Sequence, residues 1–174
     1  MMMIILLRRL GYRFAYTVLR CYWFLVRPQV LGTLCLLVHD HHLLLIRNTY
    51  GRQGWTFPGG MMKRKEAPEV TIRREVREEV GVSLDTIQNL GVLTGRQAYR
   101  RDVVHVFAAQ TPNTAVHIDP GEILEARWFS LAALPPLSLY AQRALQLWQP
   151  SSSIKLQDSQ QQEVVTNQKN PSLC

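Results

Sequence analysis

Residues 59–82 read GGMMKRKEAPEVTIRREVREEVGV. Five glutamates fall in this stretch, and three of them, Glu75, Glu78 and Glu79, stand three and four residues apart. At the helical period these three share one face. Side-by-side carboxylates destabilise a helix unless a cation lies among them. Oxygen-only donors suit a hard divalent ion, and Mg²⁺ is the usual one where phosphates are also present. The flanks agree with a helix over 67–80. Pro68 falls in the first turn, where its missing N–H costs nothing. Ile72, Val76 and Val80 form a buried stripe, and Gly81 ends the helix as a C′ residue does. The acidic face lies about 100° around from that stripe, so the carboxylates can face a cleft while the helix stays anchored. Arg73 and Arg77 fall on the far side and are expected in solvent. Just upstream, Trp55–Gly60 (WTFPGG) reads as a strand running into a tight glycine turn.

The same stretch carries a resemblance. From Gly60 the pattern runs Gly, five residues, Glu66, seven residues, Arg74-Glu75-Val76, one residue, Glu78-Glu79, one residue, Gly81-Val82. It resembles the signature box of the Nudix hydrolases, with every specified position filled. The resemblance implies an α/β fold, a Nudix-type α/β/α sandwich with a mixed sheet, and a Mg²⁺-dependent pyrophosphohydrolase, with Mn²⁺ as a substitute ion. It implies Glu75, Glu78, Glu79 and the Gly59 carbonyl as metal ligands, with Glu75 alternatively a base. Arg74 would orient Glu75, while Gly60, Glu66 and Gly81 would shape the box. By similarity Glu122 matches a further acidic ligand or base, with Glu125 its neighbouring competitor. Tyr99 has the spacing seen in relatives that cleave dinucleoside polyphosphates. Gln97 stands where the ADP-ribose class has proline. The loop after Ile46 commonly lies near substrate in the family, which offers Arg47 or Arg52 to a phosphate.

Moving outward, Val30–Val38 and Leu43–Ile46 are apolar runs around a polar Asp40-His41-His42 turn, which reads as a β-hairpin. His39, His41 and His42 sit in or beside that one turn, so a solvated hairpin tip is the reading rather than a metal site. Beyond the box, Leu90–Leu93 and Val103–Ala109 read as strands with a loop over Thr94–Asp102. Thr111-Pro112-Asn113 is a turn, Trp128-Phe129 a short strand, Leu131–Leu134 a helical turn and Ser138–Trp148 a last helix. Strands, a helix, more strands and a final helix give a mixed α/β sandwich.

The chain has 174 residues, enough for one full core, and 47% hydrophobic with 19% charged residues is a globular composition. The net charge of +7 is uneven. Residues 1–27 hold five arginines, at 8, 9, 13, 20 and 27, and no acid. This arm is expected to be a helix preceding the 28–150 domain. Arg9, Arg13, Arg20 and Arg27 fall within about 40° of one another on a helical wheel. Leu10, Phe14, Val18, Cys21, Tyr22 and Leu25 line the broad apolar face. That face is expected to dock on its own domain or on a second subunit. The competing reading is an interfacial helix on an anionic membrane surface. Its charges interrupt every apolar run, which argues against both a membrane span and a secretory signal. Three cysteines without metal or redox spacing argue against a disulfide framework and for a reducing cytoplasm, with the inner face of a membrane as the peripheral alternative. Residues 151–174, rich in Ser, Gln and Asn, read as a disordered tail.

The expected partner is a small nucleotide-type substrate, a nucleoside diphosphate linked to another moiety such as a second nucleotide or a sugar. Two alternatives stand beside it: a nucleotide-sensing domain that does not cleave, and an RNA 5′-end pyrophosphohydrolase. The arginine arm is the only support for RNA, and the body lacks an aromatic–basic RNA motif, so nucleic acid is not the expected partner.

Overall fold

A computed structural model of the protein describes residues 2–50, 54–97, 99–112 and 114–148. Arg52 and the tail from 151 therefore lie outside the described residues. The elements run α1 (Met2–Val26), β1 (Gln29–His39), β2 (His42–Asn48), α2 (Pro68–Val80), β3 (Gln88–Gln97), β4 (Arg100–Gln110), β5 (Ile123–Ser130) and α3 (Leu139–Leu147). The five strands form one sheet in the order β3-β4-β1-β2-β5. The β1–β4 pair is parallel and the other three pairs are antiparallel, so the sheet is mixed.

The continuous apolar runs of β1 and β2 follow from burial on both faces, which removes the usual polar alternation. Cys35, Leu37, Leu44 and Ile46 face one core with Ile72, Val76 and Val80 of α2. Leu36, Val38, Leu43 and Leu45 face the other, with Phe57 and with Ala141 and Ala144 of α3. Two helix layers thus sandwich the sheet. Ser138 caps α3 by accepting from the Ala141 N–H. Gly81 closes α2 in the left-handed region at φ 72°, its N–H bonded to the Arg77 carbonyl at 3.1 Å.

Several local expectations need correction. The Thr94–Asp102 segment is not a loop: β3 and β4 extend through it and pair down to Gln97↔Arg100. Asp102 is buried there and holds two partners, Arg100 Nε at 2.6 Å and the Tyr140 hydroxyl at 3.0 Å. Trp128-Phe129 belongs to the longer β5, and Leu131–Leu134 is a turn without helix. Arg73 is not free in solvent, because its guanidinium donates to the Leu84 and Asp85 carbonyls and ties down the chain leaving α2.

The largest correction concerns α1. It docks on its own domain, but not by the expected face. The inward stripe is Ile5, Arg9, Tyr12, Tyr16, Leu19 and Trp23, and only Trp23 is fully buried. The Arg100 guanidinium lies 3.9 Å from the Trp23 ring centre, and Tyr12 and Tyr16 pack on Tyr50 at 5.8 and 5.7 Å. Arg8 pairs with Asp119 at 2.7 Å and Arg9 donates to the Pro120 carbonyl at 3.0 Å. Rings and arginines make good wet-edged contacts because each has an apolar body and a polar tip. Leu10, Phe14, Val18, Tyr22 and Leu25 are all at least half exposed, and Cys21 is exposed too.

Candidate active site

The glycine turn is laid against β1 by backbone bonds. The Pro58 carbonyl accepts from Cys35 N–H and the Gly60 carbonyl from Thr33 N–H, both at 2.9 Å, and Met62 N–H reaches the Leu31 carbonyl at 3.0 Å. Gly59 sits at φ 147°, a conformation that L side chains rarely adopt. Its N–H donates to Glu79 Oε2 at 2.8 Å. One hydrogen bond therefore joins the turn to the acidic face of α2.

Glu79 is only 4% exposed. Burial pushes its carboxyl well above the usual range, and the charges of Glu75, Glu122 and Glu78 push the same way against the single Gly59 bond. Glu75 is raised as well, chiefly by burial, with the Arg74 guanidinium opposing. Glu78 is more than half exposed.

Arg74 stands between the acids. It holds Glu66 with two bonds, Nε at 2.9 Å and Nη2 at 2.8 Å, and reaches Glu75 at 2.6 Å and Glu78 at 3.2 Å through Nη1. Glu66 in turn accepts from the Lys63 N–H at 3.0 Å, closing the loop before α2. These bonds, Arg74 first and Lys63 second, lower the Glu66 carboxyl to about 2 from 4.5. A carboxyl lowered by folding contributes stability above its unfolded value, and that stability is lost as pH falls through the folded one. Glu66→Gln should therefore lower the melting temperature at neutral pH and flatten its fall between about pH 4.5 and about pH 2. Melting curves by circular dichroism across that range test this; parallel curves for both proteins would refute it.

The loop before β5 brings a further carboxylate. Glu122 follows Asp119, Pro120 and Gly121, and its charge acts on Glu75, Glu79 and Tyr50. Glu125 is engaged elsewhere, by Arg47 at 3.3 Å and Arg127 at 2.5 Å. Of the two acids, Glu122 is the one that faces the box. Arg47, held by Glu125 and lying over Trp55, is not positioned as a loose phosphate contact. Tyr99 projects from the β3–β4 turn, 55% exposed, with its ring edge-on to Phe24 at 5.0 Å. Among the described residues no ring or ionic contact links it to the carboxylates.

Sequence reasoning missed Tyr50. It is largely buried between α1 and the acids, and burial together with Glu122, Glu79 and Glu75 raises its phenol. The spacing of Tyr12 and Tyr16, four apart on one helix face, was the available signal that some ring in the body answers them.

Among the described residues, no three acidic, His or Cys groups are already gathered into a metal cage. The donor set nonetheless fits a hard divalent ion. Glu79 is buried with one N–H partner amid three like charges, and the exposed Glu78 stands beside it, all oxygen donors.

Comparisons with known proteins agree with the geometry. NAD-capped RNA hydrolase NudC of Shigella flexneri is 30% identical over 125 residues, covering 68% of this chain and 48% of that protein. The chain thus spans about half the length of the curated relatives it matches. The crystal structure of a MutT NUDIX hydrolase from Burkholderia pseudomallei superimposes with a TM-score of 0.65 at 27% identity, covering 70% of this chain and 98% of that one. The NUDIX domain of Shewanella oneidensis NrtR, solved with ADP ribose, shares the fold with a TM-score of 0.60 at 20% identity, covering 70% of this chain and 86% of that one. The sequence model of the NUDIX domain matches residues 28–148. A sandwich that presents a glycine turn to a glutamate helix, with relatives of this kind across its body, belongs to the Nudix hydrolase superfamily.

Proposed function

We propose that the protein hydrolyses a pyrophosphate bond in a nucleoside diphosphate linked to another moiety, with Mg²⁺ as its ion and Mn²⁺ as a substitute. The observation that carries this reading is the buried Glu79, bonded to the Gly59 turn and crowded by Glu75 and Glu122. Glu75, Glu78, Glu79, Glu122 and the Gly59 carbonyl would hold the ion. When bound, it supplies neutralisation of the diphosphate charge and an activated water. The rest is done by the chain. Arg74 fixes Glu75 through its 2.6 Å contact and is itself fixed by Glu66. Glu75, half-buried with its carboxyl raised by burial, would alternatively take a proton from the attacking water. The Tyr50 ring, backed by Tyr12 and Tyr16, closes the cleft on the α1 side. Arg52 remains the candidate phosphate contact.

A second reading, hydrolysis at a capped RNA 5′ end, is favoured by the relative named NAD-capped RNA hydrolase. The chemistry is the same and the substrate class differs. A panel of dinucleotides, nucleotide sugars, dinucleoside polyphosphates, NAD-capped RNA and triphosphorylated RNA, assayed with Mg²⁺ and product mass detection, separates the two. Release of a nucleoside monophosphate from a small substrate is expected. Turnover confined to the RNA substrates would favour the second reading. Tight nucleotide binding with no product at saturating Mg²⁺ would refute both and mark a sensing domain.

A further inference from the structure

The outward face of α1 is apolar along the whole helix. Eleven large hydrophobic side chains between Met3 and Val26 are 50–79% exposed, among them Leu7, Phe14, Val18 and Leu25. By the helical period they spread over the side opposite the docked stripe of Tyr12, Tyr16 and Trp23. A contiguous apolar surface of this length on a globular protein marks an interaction site. No helix among the described residues is long and apolar enough to cross a membrane.

The charges decide what covers this face. Arg13 and Arg20 border it, Arg27 follows its C-terminal end, and all three are exposed. No Asp or Glu occurs before Asp40. A second copy docking helix to helix would bring arginine against arginine with no acid to pair, which is unfavourable. An anionic lipid surface offers phosphates to the arginines and acyl chains to the apolar side. A groove of about 470 Å³ adds to the match: Arg20 stands in it beside Phe24, Leu25 and Tyr99, a cation next to an apolar wall.

We propose that α1 docks the protein flat on an anionic lipid bilayer through this outward face. The helix lies in the interface and does not span it. Its inner face touches Tyr50, Asp119 and Pro120, the rim of the carboxylate cleft. Docking therefore holds that rim about one helix diameter, roughly 10 Å, from the lipid surface. The inference concerns the surface alone and does not depend on the reaction proposed above.

The full chain with Cys174→Ser provides the test, because Cys21 is exposed on α1 for a polarity-sensitive fluorophore while Cys35 is buried. Vesicles of phosphatidylcholine with roughly a third phosphatidylglycerol should shift the Cys21 emission to the blue and co-sediment the unlabelled protein. Phe14→Glu with Leu25→Glu should weaken this binding at least ~10-fold without changing the melting temperature. Arg13→Gln, Arg20→Gln and Arg27→Gln together should weaken it by roughly two orders of magnitude on anionic vesicles only. Equal binding to pure phosphatidylcholine, or no binding to either, would overturn the proposal. So would a concentration-dependent dimer that Phe14→Glu dissolves in a protein that ignores vesicles.

Discussion

Replacing Glu79 by glutamine is expected to lower kcat by roughly two to four orders of magnitude while the fold survives. Glutamine keeps the length and shape, and its carbonyl oxygen can still accept from the Gly59 N–H, so the turn stays on α2. What disappears is a negative charge in a site where three other carboxylates already crowd it. With no cation present, the variant should melt at the same temperature as the natural protein or slightly higher, since a neutral amide does not repel Glu75. Glu78→Gln should lose turnover on a similar scale with no stability change, because Glu78 is exposed. The measurements are kcat at saturating Mg²⁺ and thermal melting without metal. Unchanged turnover in both variants, with Mg²⁺ still required, would sink the assignment of these residues.

Gly59→Ala is expected to cost about 3 kcal/mol or more of folding stability, together with activity. A methyl group there would overlap the Thr33 carbonyl oxygen and come within 2.9 Å of Leu34 Cα, both backbone atoms of the central strand β1. Neither can move without breaking the sheet, and the φ of 147° is itself adverse for an L residue. Gly60→Ala provides the contrast. The atoms nearest its methyl would be those of the Glu75 carboxylate, the end of a flexible side chain. That variant should keep most of its stability and lose activity, because the displaced group is a proposed participant. Chemical denaturation of both proteins decides the matter. A Gly59→Ala protein within about 1 kcal/mol of the natural one would contradict the close approach.

The fold and the centre of the candidate site were legible because strong local signals agreed. The paired apolar runs of β1 and β2, the Ile72-Val76-Val80 stripe and the Gly81 stop each name one structure, and the box spacing names the same one. The rest was decided by contacts that hydropathy ranks poorly. In α1 the broad apolar side with Phe14 and Tyr22 looked like the docking face, yet Tyr12, Tyr16 and Trp23 dock instead, because Tyr50 and Arg100 of the body meet those rings. Similarity favoured Glu122 but left Glu125 as its competitor; β5 begins between them, and Arg47 and Arg127 claim the second. The polar ends of β3 and β4 looked like a loop because Arg100 and Asp102 are charged, although each satisfies the other inside the structure. Tyr50 had no motif to announce it.

The parallel pairing of β1 with β4, from Gln29↔Arg101 to Val38↔Gln110, has a consequence for how the molecule assembles. Both box and helix α2 lie within the chain segment that this pairing closes into a loop. Closing such a long segment is entropically costly and slow compared with forming a hairpin. A chain emerging from synthesis can pair β1 with β2 early, but the centre of the sheet waits for β4. The turn that carries Gly59 rests on β1, and α2 rests on the core that β4 completes through Phe107 and Ala109. Until β4 arrives, the acids of α2 have no complete core to hold them against the turn. The gathering of the carboxylates thus rests on sheet closure, because the core under α2 includes Phe107 and Ala109 of β4.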